Sequence, residues 1–152
     1  MQKNAHTRNV SIAIIAIGIL DAIFKFLAIR FLPPETDPTL SRILALALHK
    51  NPGITFDIAL PLALTVMVTC VIVVALVRHL PKTLATQPIV GIGFVAILVG
   101  AFNNMIDRIV NGFTTDYLML LHTSVINLSD LLILFGAGVV MVYYTSNPQR
   151  RM

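Results

Sequence analysis

Four long runs of apolar residues alternate along the chain with shorter polar segments. They cover residues 10–32, 58–77, 89–106 and 126–144. A helix needs about 17 to 25 residues to cross the hydrocarbon core of a bilayer, so each run is long enough to span a membrane. The second and third runs contain no charged residue. This pattern predicts four transmembrane helices.

The composition agrees with a membrane protein. Of the 152 residues, 57% are hydrophobic and 12% are charged, and the mean hydropathy is +0.86. Soluble domains carry about 25% charged residues, so the composition excludes a soluble globular domain and a disordered chain. The length suits one domain, and we predict a single integral membrane domain over residues 1–152.

The charged residues are divided unequally between the two sides of the predicted helices. With four spans, both termini and the segment 78–87 share one side. The basic residues on that side, which holds no acid, are Lys3, Arg8, Arg78, Lys82, Arg150 and Arg151. Because cytoplasmic flanks collect Lys and Arg, we expect both termini in the cytoplasm. The net charge of +4 then reflects topology, and we expect no nucleic-acid partner.

The connecting segments differ in their patterns. Segment 33–57 contains an amphipathic piece at 40–48, followed at 54–58 by apolar residues that alternate with polar ones. Such alternation predicts a half-buried strand. Segment 78–87 is short and is interpreted as a plain connector, whereas segment 107–130 is dense in polar residues.

Charged residues at membrane depth are costly and therefore suggest a function. Asp21 and Lys25 lie four residues apart in the first predicted helix, which places them on one face. They form either a structural ion pair or a polar wall that supports a site at the outer surface.

The third predicted helix ends in a second polar group. Asn104 shares a face with Asp107 and Arg108, at spacings of three and four residues. A cation suits the C-terminus of a helix, whereas an anion there requires compensation, from Arg108 or from a neighbouring amide. The group either fixes the helix end or takes part in a site.

Two further acids follow along the chain. Gly112 is expected to end the third helix, which leaves Asp116 extended or in a turn. Asn127 and Asp130 fit a capping box at the start of the fourth helix. Taken singly, Asp116 is a solvated loop acid and Asp130 is a helix cap.

Taken together, the acids suggest catalysis. Asp107, Asp116 and Asp130 all fall at the outer ends of the third and fourth helices. Two carboxyl groups held close together cannot both ionise readily, so one retains its proton, as an acid/base pair requires. Such a pair activates water to attack a peptide carbonyl. Spacing alone accepts either Asp107 or Asp116 as the partner of Asp130. Cys70 is interpreted as a packing residue, and the four histidines show no metal-ligand spacing.

These residues resemble the lipoprotein signal peptidases, also called signal peptidase II. The motifs of that family are Asp-x-x-x-Lys, Asn-x-Gly, Gly-Asn-x-x-Asp-Arg, Val-Asp-Phe and Asn-x-Ala-Asp. The matching segments, in the same order, are Asp21-Ala22-Ile23-Phe24-Lys25, Asn51-Pro52-Gly53, Asn103-Asn104-Met105-Ile106-Asp107-Arg108, Thr115-Asp116-Tyr117 and Asn127-Leu128-Ser129-Asp130. The resemblance thus extends through nearly the whole chain.

The resemblance implies a fold, an activity and a site. The implied fold is an all-α membrane protein, a four-transmembrane-helix bundle with a small extracytoplasmic β-cradle. The implied enzyme is a monomer in the bacterial cell membrane. It cleaves prolipoproteins before a cysteine that bears diacylglycerol, in contact with membrane lipids and without a metal or other cofactor. Asp116 and Asp130 would form the catalytic dyad. The residues expected to shape or brace the pocket are Asp21, Lys25, Asn51, Gly53, Asn104, Asp107, Arg108 and Asn127.

The chain also departs from the family motifs. Asn103 stands where the motif has glycine, Ile54 and Thr55 replace two alanines, and Ser129 replaces alanine. These changes bear on pocket shape and substrate preference. They leave a noncatalytic or repurposed homologue as one alternative. A small proton or solute transport subunit that uses Asp21, Lys25 and Asp107 as a relay is another, although the uncharged second and third runs argue against a path through the membrane.

Overall fold

The computed structural model describes residues 2–36, 44–53, 61–121 and 124–150. The elements, in chain order, are α1 (Gln2–Phe31), β1 (Leu44–Asn51), α2 (Leu62–Thr86), α3 (Pro88–Asn111), β2 (Thr114–Leu120), β3 (Ser124–Ile126), α4 (Leu128–Ser146) and a 3-10 turn (Pro148–Arg150). Each of the four α-helices is long and apolar enough to cross a membrane. The expected four-helix fold with a small sheet is therefore confirmed.

The helix α3 lies at the centre of the bundle and contacts the other three helices. Its start and end follow local signals. Pro88 occupies the first turn, where a missing backbone donor costs nothing, and Gly112 ends the helix in the left-handed conformation with φ of 82°. The expectation that Gly112 terminates this helix is confirmed.

The predicted connector at 78–87 is wrong. The helix α2 continues through these residues to Thr86, with Pro81 inside it, and Gln87 is the only residue between α2 and α3. Backbone hydrogen bonds pass through this junction, from Gln87 N to Thr83 O at 2.7 Å and from Gly91 N to Gln87 O at 3.0 Å. Apart from Pro81, residues 78–86 contain no helix breaker, so the basic residues near position 80 extend the helix beyond its apolar run.

The sheet lies at the end of the bundle where α3 ends and α4 begins. Its strands are antiparallel in the order β1-β2-β3. The strand β1 is hydrogen-bonded to the segment that follows α1: Leu48 N donates to Pro33 O at 2.7 Å. The predicted amphipathic piece at 40–48 therefore contributes its residues 44–48 to a strand, and Leu and Ala alternate there. The strand expected at 54–58 lies outside the described residues.

Most exposed side chains of the bundle are apolar, whereas buried polar side chains lie inside it at the sheet end. On α2, Thr65 is the only residue classed as buried, so most of this helix presents apolar side chains to its surroundings. A small apolar core is formed by Ile14, Val95, Ala96 and Leu132. The buried polar side chains are Asp21, Lys25, Thr65, Asn104, Asp107, Thr114, Thr115, Asp116, Asn127 and Ser129.

Glycines allow α3 and α4 to approach closely. A Cβ atom on Gly136 would lie 2.5 Å from the Gly93 carbonyl oxygen, whereas a Cβ atom on Gly138 of the same helix would meet nothing within 4 Å. Because the obstacle at Gly136 is backbone, the two helices would have to separate to admit a methyl group.

We therefore expect opposite results from two alanine substitutions in α4. Gly136→Ala should cost about 1–3 kcal/mol through overpacking and lower the thermal unfolding midpoint in detergent. Gly138→Ala should leave the midpoint unchanged or raise it, because alanine favours the helix by up to about 1 kcal/mol. Equal midpoints for the two variants would contradict the close packing of α3 against α4.

Candidate active site

Asp116 lies in β2 with 1% of its surface exposed. Each carboxylate oxygen accepts an amide hydrogen bond, one from Asn51 Nδ2 at 3.1 Å and one from Asn127 Nδ2 at 2.5 Å. Burial, with the nearby charge of Asp130 adding to it, raises the pKa of Asp116 to about 7, although the two amides and Lys25 act in the opposite direction. The solvated loop position considered for this acid is therefore wrong.

Asp130 is the third residue of α4 and caps its start. Asn127 Oδ1 accepts from Asp130 N at 2.9 Å, and Asp130 Oδ2 accepts from Asn127 N at 3.4 Å. The predicted capping box is confirmed. The other carboxylate oxygen of Asp130 accepts from Asn104 Nδ2 at 2.8 Å. A helix cap and a polar contact with α3 thus use the same side chain.

Asn127 contacts both acids. Its Nδ2 donates to Asp116, and its backbone and side-chain oxygen complete the capping box with Asp130. Asn127 has no exposed surface, so its amide is held in one orientation. Two acids, from β2 and α4, thus contact a single asparagine.

Lys25 forms a buried ion cluster behind these acids. Its ammonium lies 3.3 Å from Asp21 Oδ2 and 3.5 Å from Asp107 Oδ2. It also donates to Asn104 Oδ1 at 2.5 Å. Since Asn104 in turn donates to Asp130, a continuous chain of polar contacts runs from α1 through α3 to α4.

Asp107 belongs to the ion cluster. It accepts from Thr115 N at 2.6 Å, Thr115 Oγ1 at 3.1 Å and Asn111 Nδ2 at 2.6 Å. An amide therefore compensates the anion at the helix end, together with Lys25. Arg108, the other partner considered, instead donates to the Gly53 carbonyl oxygen at 3.0 Å.

Asn51 and Gly53 form the wall of the site at the end of β1. Asn51 Oδ1 accepts from Gly53 N at 3.0 Å while its Nδ2 donates to Asp116. The turn is held from the other side by Arg108. All ten predicted site residues thus belong to one connected region, in which the ion cluster lies behind the Asp116–Asn127–Asp130 group.

Sequence reasoning missed three hydroxyl groups that contact the ion cluster. Tyr117 OH donates to Asp21 Oδ1 at 2.9 Å, and Ser129 Oγ donates to Asp21 Oδ2 at 2.5 Å. The third is the Thr115 hydroxyl on Asp107. Burial, together with the charge of Asp21, raises the pKa of the Tyr117 phenol well above its ordinary range, so it remains a hydrogen-bond donor. The signal available in the sequence was that Thr115, Tyr117 and Ser129 carry hydroxyls within otherwise matched motifs.

Other chemistry-bearing residues lie elsewhere. Cys70 Sγ contacts Met105 Sδ at 3.4 Å, between α2 and α3. Within the described ranges, no group of three or more His, Cys, Asp or Glu residues is arranged to hold a metal ion. The groups that the site does present are carboxyl groups, amides, hydroxyls, an ammonium and a guanidinium.

Comparison with known proteins identifies the family. Residues 12–146 match the sequence model of the family described as signal peptidase (SPase) II. The chain belongs to the signal peptidase II family. It is therefore a multi-pass bacterial membrane protein of a protease family, as the motif resemblance implied.

Individual relatives agree with this assignment. A lipoprotein signal peptidase of Mesorhizobium japonicum is 35% identical over 138 residues, which cover 86% of this chain and 82% of that protein. One from Brevibacillus brevis is 30% identical over 131 residues, covering 81% and 85%. A solved bacterial membrane enzyme has the same fold, with a TM-score of 0.81 at 18% identity over 95% of this chain and 92% of the other.

The raised pKa of Asp116 predicts a pH-dependent stability. Between its ordinary value of 3.8 and its folded value of about 7, the folded state holds a proton that the unfolded state has released. Stability therefore falls as pH rises through this window, by about 1 kcal/mol per pH unit from this group. Asp116→Asn should remove that contribution. The difference in unfolding midpoint, variant minus unaltered protein, should therefore become more positive from pH 5 to pH 8. A constant difference across this range would contradict the raised pKa.

Proposed function

We propose that this chain is an aspartyl endopeptidase that removes the signal peptide from diacylglyceryl-modified prolipoproteins, cleaving before the lipidated cysteine. The observation that carries the proposal is that Asp116 and Asp130 both form hydrogen bonds with Asn127. Two carboxyl groups in such an arrangement, Asp116 buried and Asp130 half-buried, favour one proton shared between them. An acid/base pair of this kind is what metal-free hydrolysis of a peptide needs.

In the proposed mechanism, water attacks the carbonyl carbon of the scissile peptide. The ionised member of the dyad takes a proton from this water as the carbon–oxygen bond forms. The carbon–nitrogen bond then breaks, and the protonated member gives its proton to the leaving nitrogen. A pKa of about 7 for Asp116 suits a group that both accepts and releases a proton near neutral pH.

The assignment of Asp116 to the dyad is supported by the bonds that Asp107 makes. The oxygens of Asp107 are occupied by Lys25, Thr115 and Asn111, which leaves this carboxylate little capacity for proton transfer. We therefore propose Asp107 as a bracing residue. In the same role we place Asp21, Lys25, Asn104 and Arg108, while Asn51, Gly53 and Asn127 shape the pocket.

The outer surface supports a lateral approach of the lipidated substrate. An apolar groove of about 710 Å³ runs between α1 and α3, bounded by residues such as Ile15, Phe26, Val99 and Phe102. Asn103, which precedes Asn104 of the site in α3, also lines this groove. We propose that the substrate enters from the bilayer, with its acyl chains in lipid and its peptide at the sheet. One chain supplies all the residues of this site, so we propose that the monomer is active.

Amide substitutions test the dyad. Asp116→Asn and Asp130→Asn should each lower kcat by at least about a thousandfold with a diacylglyceryl prolipoprotein, because neither variant can complete the proton transfers. Glu35→Gln, which changes an acid that contacts His49, is the matched control and should retain activity. The unaltered enzyme should show a bell-shaped pH profile of kcat. Near-normal cleavage by either asparagine variant would refute the dyad.

The proposed topology places the site outside the cytoplasmic membrane and both termini inside. In a Cys70→Ser background, a cysteine replacing Lys50 in β1 should react with a membrane-impermeant maleimide on intact spheroplasts. A cysteine replacing His6 in α1 should react only after lysis, because the sheet and the N-terminus lie at opposite ends of the bundle. The reverse labelling pattern would invert the orientation.

A further inference from the structure

Three hydroxyl groups converge on the two carboxylates that hold Lys25. Tyr117 and Ser129 both donate to Asp21, at 2.9 and 2.5 Å, and Thr115 donates to Asp107 at 3.1 Å. Thr115 and Tyr117 lie in β2 and Ser129 lies in α4, so the donors come from two separate elements. None of the three contacts Asp116 or Asp130 through its hydroxyl.

Each of these hydroxyls stands where the family motif has an apolar residue. The motif reads Val-Asp-Phe where this chain has Thr115-Asp116-Tyr117, and it has alanine at the position of Ser129. Valine, phenylalanine and alanine have no side-chain donor. Three hydroxyls from two elements therefore donate to one ion cluster, which indicates a shared physical role.

The added donors saturate Asp21. A carboxylate has about four acceptor positions, and those of Asp21 receive Tyr117 OH, Ser129 Oγ, Leu128 N at 3.1 Å and the ammonium of Lys25 at 3.3 Å. The side chain has no exposed surface. With every acceptor position filled from three elements, the carboxylate cannot rotate without leaving a buried donor unpaired.

A fixed Asp21 fixes the atoms between it and the dyad. Lys25 Nζ donates to Asn104 Oδ1 at 2.5 Å, and Asn104 Nδ2 donates to Asp130 Oδ1 at 2.8 Å. Displacement of the ammonium by a few tenths of an ångström would turn the Asn104 amide and redirect its second hydrogen bond. The position of the Asp130 carboxylate is thus coupled to the hydroxyls through two intermediate side chains.

We propose that Tyr117 and Ser129, assisted by Thr115, are positioning residues. They fix the position of the Asp130 carboxylate through the chain of contacts formed by Asp21, Lys25 and Asn104. This inference rests on the proposed peptidase function. Because the three residues are buried and their hydroxyls are bonded to the ion cluster, we expect them to act on the chemical step and leave substrate binding unchanged.

The experiment compares hydroxyl deletions that preserve shape. Tyr117→Phe and Ser129→Ala are assayed with a diacylglyceryl prolipoprotein in mixed micelles, with rates normalised to folded enzyme. Each should lower kcat about tenfold, the size expected for a hydrogen bond to a charged group, and leave KM within about twofold. Thr115→Val should lower kcat less, because the Thr115 backbone N–H remains on Asp107.

Tyr144→Phe is the matched control. Tyr144 OH donates to Gln87 Oε1 at 3.1 Å, near the opposite end of the bundle from the sheet, so this variant also removes a hydrogen-bonded phenol. Its kcat and KM should both match those of the unaltered enzyme. The double variant Tyr117→Phe/Ser129→Ala should lose less than the product of the two single losses, because both hydroxyls act on one carboxylate.

Several results would overturn the inference. An unchanged kcat in both single variants would do so, as would a raised KM at constant kcat or an equal loss in Tyr144→Phe. If one variant does not fold, the other decides alone. The proposed function fails differently: the unaltered enzyme would then show no cleavage at all, and the positioning role would fall with it.

Discussion

A single buried ammonium organises the polar end of this bundle. Lys25 of α1 lies between Asp21 of its own helix and Asp107 of α3, and it donates to Asn104. Breaking a buried ion pair by removing one partner is strongly destabilising, because it leaves a charge without compensation. The helices α1 and α3 therefore cannot separate at this level. The same constraint aims the Asn104 amide at Asp130, so the packing of two helices and the geometry of the site follow from one interaction.

The second constraint is local and serves two purposes. Asn127 caps α4 through its oxygen and backbone, while its Nδ2 donates to Asp116 in β2. A capping box normally satisfies only the free amides at a helix start. Here it also holds two acids near one another, because the third residue of the box is Asp130. The start of α4 and the positions of the two acids consequently depend on the same side chains.

The interior and the exterior of the molecule have opposite characters. The helix α2 buries little more than Thr65 and presents an apolar surface, as a lipid environment permits. At the sheet end of the other three helices, acids and amides are buried, and among the described residues few buried side-chain atoms lack a hydrogen-bond partner. A low-dielectric surrounding strengthens each of these bonds and makes each unpaired group costly. This explains why the hydroxyls of Tyr117 and Ser129 find partners in the cluster rather than in water.

Sequence alone determined the features that depend on local pattern. The apolar runs predicted four helices, Gly112 marked the end of α3, and the spacing of Asn127 and Asp130 predicted the capping box, because each is governed by residues within one or two turns. One local prediction was wrong: the short segment 78–87, which carries charges, was expected to form a connector. Residues 78–86 contain no helix breaker beyond Pro81, and they remain helical.

Only the tertiary structure decided which acid accompanies Asp130 at Asn127 and which belongs to Lys25. Asp107 and Asp116 are equally suitable by spacing, but they have different partners in the folded protein. Thr115 of β2 donates to Asp107, whereas Asn51 of β1 donates to Asp116. The contacts of Tyr117 and Ser129 with Asp21 join positions about a hundred residues apart along the chain. Such contacts depend on how helices and strands pack, and no periodicity within a single element encodes them.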